Sequence, residues 1–215
     1  MEPLYVGEPI LAVAAVDETI AAEAIERIAV DLEPLPFVVD PLESLRPGGL
    51  NARTEGNVYI NREIKTLKWT EADFTGAGDG KLPLGKPGDE WGFGDLEAGF
   101  KQADLTLDET MVLQSTGHQP LETRSAMAYW QNGKLYLHGS TQSVVRTIAS
   151  VAGWVGVDPS QVVIISEYTG GAFGSKIPGA HSMAIPALLA KKTGRPVMMR
   201  VTRENYPVAQ RFWKA

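Results

Sequence analysis

The sequence predicts an α+β fold, a mixed β-sheet backed by helices with a smaller α/β segment ahead of it. Three observations carry this reading. Asn132-Gly133 separates two alternating runs as a tight hairpin turn does. From residue 140 to residue 201, helical and strand-like segments take turns, which a mixed sheet accommodates most simply. With 44% hydrophobic and 21% charged among 215 residues, the chain can bury a real core, in one large domain or two small ones.

Residues 8–16 form a short apolar run read as a strand, and Asp17 then caps a helix whose face carries Ile20, Ala21, Ala24, Ile25 and Ile28. Ala29-Val30-Asp31-Leu32-Glu33 alternates as a returning strand and stops at Pro34 and Pro36. Two strands and one helix cannot close a core, so sheet partners for this opening are expected upstream or in another chain. From Arg46 to Asp95 glycine and proline are dense and no period survives, so a linker is expected. A short helix at 96–103 and an alternating strand at 105–113 follow. Strands at 125–130 and 134–138 flank the Asn132-Gly133 turn, and a helix at 144–155 ends at Gly156. A strand at 162–165, a glycine-bearing loop at 169–178, a helix at 181–192 closed by Gly194 and a strand at 197–201 complete the pattern.

Composition excludes several classes. The net charge of −6 is spread among interspersed acids and bases, which disfavours nucleic-acid binding. There are no cysteines, so neither disulfides nor iron–sulfur or thiolate metal sites form within the chain. Neither a signal peptide nor an apolar run long enough to span a membrane is visible. Cytoplasmic location is the default, and an export signal further upstream would make it periplasmic.

Gly170-Gly171-Ala172-Phe173-Gly174-Ser175-Lys176 lies between a buried-type strand and a helix. Glycines let backbone amides approach a ligand, and the start of the next helix favours negative charge. Two phosphate-binding patterns fail on spacing: a P-loop needs glycine directly before lysine, where Ser175 stands, and the G-x-G-x-x-G order of a dinucleotide loop is missing. Read alone, the segment is equally a tight strand-to-helix turn.

Other blocks decide between those readings. Gly94-Asp95-Leu96-Glu97-Ala98-Gly99-Phe100-Lys101-Gln102-Ala103-Asp104, His118-Gln119-Pro120-Leu121-Glu122, Ser140-Thr141-Gln142, the glycine loop and Lys192-Thr193-Gly194-Arg195-Pro196-Val197 occur in order. Together they resemble the molybdopterin-binding subunit of the xanthine dehydrogenase and aldehyde oxidase family. Tyr5-Val6-Gly7-Glu8-Pro9-Ile10, the helix after Asp17 and Glu33-Pro34-Leu35-Pro36 are similar to the second half of that family's α/β hammerhead domain. The resemblance divides the chain into a partial hammerhead domain at 1–45, a linker at 46–93 and the N-terminal part of the molybdopterin-binding domain at 94–215, with 57–91 looking like an insertion.

Enzymes of that family hydroxylate a carbon beside nitrogen or oxygen, or oxidise an aldehyde, and the resemblance implies a molybdenum cofactor, as molybdopterin or its cytosine dinucleotide. It implies that Gln142, the residue carried over as catalytic, hydrogen-bonds an oxygen ligand of molybdenum, as a neutral amide donor can. Backbone at Gly171, Phe173 and Gly174 would bind the cofactor, and the Phe173 ring would wall the substrate channel. Ala172 and Ser175 stand where the family commonly has glycine, so the backbone there must accept a Cβ. Ile177 replaces the glutamate that handles purine in xanthine-oxidising members, so an aldehyde or apolar heterocycle is expected. No metal ligand is expected from the chain: His118, Glu122, His138 and His181 read as structural. The family's general-base glutamate belongs to a glycine-rich motif that does not follow Arg203-Glu204-Asn205-Tyr206. The polypeptide is therefore expected to be an incomplete piece, inactive alone. Its implied partners are the remainder of the large subunit, an iron–sulfur subunit and an FAD subunit. The alternative is a non-catalytic binding module that keeps the fold without the cofactor.

Overall fold

The computed structural model describes residues 2–3, 8–60, 63–75, 77, 82–83, 89–107, 109, 111 and 117–203. Tyr5, Val6 and Gly7 of the opening hammerhead-like block lie outside the described residues. Helix α1 (Glu18–Glu26) starts where Asp17 can cap it, the carboxylate accepting the Ile20 amide at 2.8 Å. Further on come α2 (Pro41–Leu45), strands β1 (Val58–Ile60) and β2 (Glu63–Lys65), α3 (Glu71–Thr75) and α4 (Leu96–Gln102). Then follow β3 (Ser125–Gln131), β4 (Lys134–Gly139), α5 (Val144–Val155), β5 (Val162–Ile165), α6 (His181–Thr193) and β6 (Val197–Arg200). These elements fall into two compact units, residues 1–32 with 115–215 and residues 33–114.

In the first unit the sheet order is β5-β4-β3-β6, with β4 and β5 parallel and the other pairs antiparallel. The expected mixed sheet with helices is the observed one. Asn132 and Gly133 join β3 to β4 at φ +50° and +74°, the two left-handed positions of a hairpin turn that follows the strands' twist. Helices α5 and α6 pack on one face, burying Ala126, Ala128, Leu135 and Leu137 of the sheet against Val151, Ala152, Val155, Met183, Ala187 and Ala190. Alanine on both β3 and α6 lets the helix lie close to the strand. Gly156 and Gly194 end the two helices at φ +70° and +66°, left-handed caps that cost glycine little. Pro186 sits inside α6 and donates no amide to the turn before it.

The second unit has little sheet and depends on side chains for its order. Asn57 donates to the carbonyls of Ser44 and Leu67 and accepts the Leu67 amide. The Lys68 ammonium donates to the carbonyls of Ser44, Gly49 and Leu50, tying the end of α2 to the chain after β2. The glycine- and proline-rich stretch read as linker thus carries the β1–β2 pair and the short helix α3.

Three expected strands are corrected. Residues 8–16 and 29–33 form none, and neither do 105–107, 109 and 111, the described part of the run at 105–113. A strand exists only where a second one takes its hydrogen bonds, and among the described residues nothing pairs with these. Helix α1 forms because its bonds are local, although Ile20 and Ile25 on it, and Ile28 just beyond its end, remain exposed.

Leu137 is fully buried between sheet and helices. Replacing it with alanine should lower the unfolding free energy by about 2–5 kcal/mol, read as a shifted urea midpoint at unchanged slope.

Candidate functional site

Strand directions bring four segments to one end of the sheet. Because β4 and β5 are parallel, both release their chains at that end, as residues 140–142 and 166–176. The antiparallel β3 begins there, so residues 118–124 lead into it, and β6 finishes there with residues 201–203. Ligands of sheets with parallel strands commonly sit outside the carboxyl ends of those strands.

The glycine loop has an unusual backbone. Gly171, Phe173 and Gly174 have φ of +93°, +54° and +98°, while Ala172 and Ser175 do not enter that region. The two residues that replace glycine therefore carry their Cβ atoms without left-handed strain, and both are buried. Alternation of this kind turns successive amides to the same side, as in an anion-binding nest. Gly170 is needed for close approach, since a Cβ there would lie 2.8 Å from the Cβ of Glu122. At Gly174 a Cβ would lie 3.2 Å from Nε2 of His118.

Gln142 meets this loop. Its Oε1 accepts the backbone amides of Gly174 at 3.0 Å and Lys176 at 3.3 Å, and its own backbone amide donates to the Lys176 carbonyl at 2.9 Å. Two backbone donors around one atom identify that atom as the oxygen and leave the NH2 group directed elsewhere. The Phe173 ring is 73% exposed, so it is no part of the core. The amides of Gly171, Ala172 and Phe173 make no hydrogen bond among the described residues. Three such donors, a spare amide NH2 and an aromatic face suit an anionic, oxygen-rich planar group.

Two residues carry more of the site than their sequence context suggests. Lys176 is 1% exposed, and its ammonium donates to Oε2 of Glu122 at 2.7 Å. The same oxygen accepts the Gly170 amide at 2.6 Å, so Glu122 holds both ends of the loop. Glu122 was expected to be structural, but its partner was not legible, because residues 122 and 176 are far apart in the chain. Thr141 is the second. Its hydroxyl donates to the Lys176 carbonyl at 3.0 Å and accepts the Ser143 amide, so the Thr147 hydroxyl, 2.6 Å away, donates to it. The other histidines lie apart: His138 stacks against Tyr129, and His181 meets Trp154 at a tilt of 40°. Among the described residues no three histidine, aspartate or glutamate side chains gather to hold a metal.

Partial burial pushes the Glu122 carboxyl upward, but hydrogen bonds from Lys176 and Gly170, the ammonium charge and the Ser140 hydroxyl outweigh it and hold it below the usual glutamate range. The carboxylate is thus ionised, and its charge is matched by Lys176.

A mixed sheet with a braced glycine loop at the carboxyl ends of its parallel strands defines an α+β cofactor-binding domain. Residues 83–211 match the family model of the molybdopterin cofactor-binding domain. A probable xanthine dehydrogenase subunit from Bacillus subtilis (strain 168) is 30% identical over 202 residues, which are 94% of this chain and 23% of that protein. The aldehyde oxidoreductase of Megalodesulfovibrio gigas is 28% identical over 207 residues, 96% of this chain and 20% of that protein. Among solved structures, the Cu,Mo-CO dehydrogenase in its carbon monoxide reduced state superposes with a TM-score of 0.60 at 27% identity, covering 89% of this chain and 23% of that one. The chain belongs to the molybdopterin-binding subunits of the xanthine dehydrogenase and aldehyde oxidase family. It spans less than a quarter of the length of these relatives.

The lowered pKa of Glu122 has a consequence for stability. A carboxyl whose folded pKa lies below its unfolded value of about 4.3 stabilises the fold above that pH and loses the contribution as pH falls through the folded pKa. The wild-type advantage over Glu122→Gln should therefore be constant near neutrality and shrink below about pH 4.3, followed by urea unfolding across pH.

Proposed function

We propose that this chain holds the molybdopterin cofactor of a molybdenum-dependent hydroxylase or aldehyde oxidase, with the site at the end of the sheet where residues 118–124, 140–142 and 170–176 meet. The observation that carries the reading is the anchored amide of Gln142. Its oxygen is taken up by the amides of Gly174 and Lys176, so its NH2 is held ready to donate to an oxygen ligand of the metal. Backbone at Gly171, Phe173 and Gly174 contacts the cofactor, and the exposed Phe173 ring walls the substrate channel. When bound, the group supplies the two-electron redox chemistry; the protein supplies place, orientation and hydrogen bonds. Its form is molybdopterin or the cytosine dinucleotide. The Glu122–Lys176 pair is itself neutral.

The substrate is a small aldehyde or heterocycle. Ile177 stands where a purine-handling glutamate would be, and an apolar side chain offers a purine no hydrogen bond. Residues 1–45 supply part of an α/β hammerhead domain and residues 94–215 the first part of the cofactor domain. The general base and further cofactor loops come from the rest of the large subunit, and iron–sulfur and FAD partners carry the electrons away. The chain matches less than a quarter of each of these relatives, which leaves most of such a subunit to supply those parts.

Protein purified from its source with its associated chains should contain molybdenum and a pterin. Absence of both would overturn the assignment. Glu at position 142 keeps the oxygen that receives the Gly174 and Lys176 amides but has no NH2 to donate, whereas Ala removes both. Gln142→Glu should therefore retain molybdenum yet lose turnover by roughly 10²-fold, the usual scale for one aimed donor. Gln142→Ala should lose turnover and also cofactor content.

A further inference from the structure

We propose that Glu122 and Lys176 are positioning residues for Gln142, so that an ion pair set back in the loop decides which way that amide faces. The inference rests on the proposed role of Gln142 for its functional meaning, and on geometry alone for its physical content. Lys176 joins the two. Its ammonium meets Glu122 at 2.7 Å, its backbone amide meets Oε1 of Gln142 at 3.3 Å, and its carbonyl accepts from the Gln142 backbone amide at 2.9 Å and the Thr141 hydroxyl at 3.0 Å. A shift of residue 176 therefore displaces one of the two amides that hold the Gln142 oxygen, and with it the bond that fixes the Gln142 backbone.

The ammonium has no water to fall back on, because the side chain is 1% exposed. A buried charge of this kind stays where its counter-charge is, and the counter-charge here is anchored again by the Gly170 amide at 2.6 Å. Glu122 itself is 37% exposed, so water can solvate it if the pair is broken, and Lys176 is the partner with no alternative. A buried lysine serving only as packing would need its methylenes and not its charge. That difference is testable, because methionine has a similar length and no ammonium.

The experiment uses the full chain without cofactor and follows amide hydrogen exchange residue by residue. In Lys176→Met, protection of the amides of Gly174 and residue 176 should fall tenfold or more, while the amides of β3 and β4 exchange as in wild type. Protection within twofold of wild type at both loop amides would overturn the proposal, and so would an equal loss in loop and sheet, which is the signature of a purely structural side chain. Where Lys176→Met fails to fold, Glu122→Asp decides by the same criteria, since it keeps the charge but withdraws it from one of its two loop partners. Exchange is read without cofactor, so a protein found to lack molybdenum would sink the functional reading and leave this one to be judged separately.

Discussion

Parallel pairing of β4 with β5 is the constraint from which the site follows. Parallel neighbours must be joined by a crossover, here α5, and both strands then release their chains on the same side. Residues 140–142 and 166–176 become neighbours for that reason alone. The antiparallel β3 and β6 add the approach to one strand and the exit from another, and Arg203 secures this arrangement by donating to the carbonyls of Pro120 and Leu121. Beneath the loops, α5 and α6 pack on the sheet through a core of alanine, valine, leucine and methionine side chains.

A buried lysine in a glycine loop is costly unless something answers its charge. Glu122 does so and in the same act takes the Gly170 amide, so the two ends of the loop are held by one oxygen. Between those ends Phe173 adopts a left-handed backbone, a conformation that costs a non-glycine residue about 1–3 kcal/mol and persists only where its surroundings impose it. The imposing contacts are visible: Gln142 receives the amide of Gly174, and the Ser175 amide and hydroxyl both donate to the Ala172 carbonyl. The strain is kept by the structure at a ring that faces outward.

Local signals were read well because their physics is local. The Asp17 cap, the Asn132-Gly133 turn, and the glycines that end α5 and α6 each act within a few residues, and each is found where the sequence places it. The apolar run at 8–16 and the alternating residues at 29–33 and 105–113 do not form strands, since such patterns say that a segment could lie on a sheet and not that a partner strand is there. In the second unit Asn57 and Lys68 order chain that has no hydrophobic period, and side chains bonded to distant carbonyls leave no pattern to read.

For the site, sequence alone determined the residue types and their order: a glutamine after the hairpin, a glycine loop after the next strand, and the blocks that mark the family. It also determined that Ala172 and Ser175 depart from the common loop. Only the tertiary structure decided that the Gln142 oxygen faces the loop amides, that the departures fall outside the left-handed positions, and that Glu122 reaches Lys176. The physical reason is separation along the chain. Contacts between residues 34 or 54 positions apart are set by strand direction and register, and these come from packing the whole sheet against its helices.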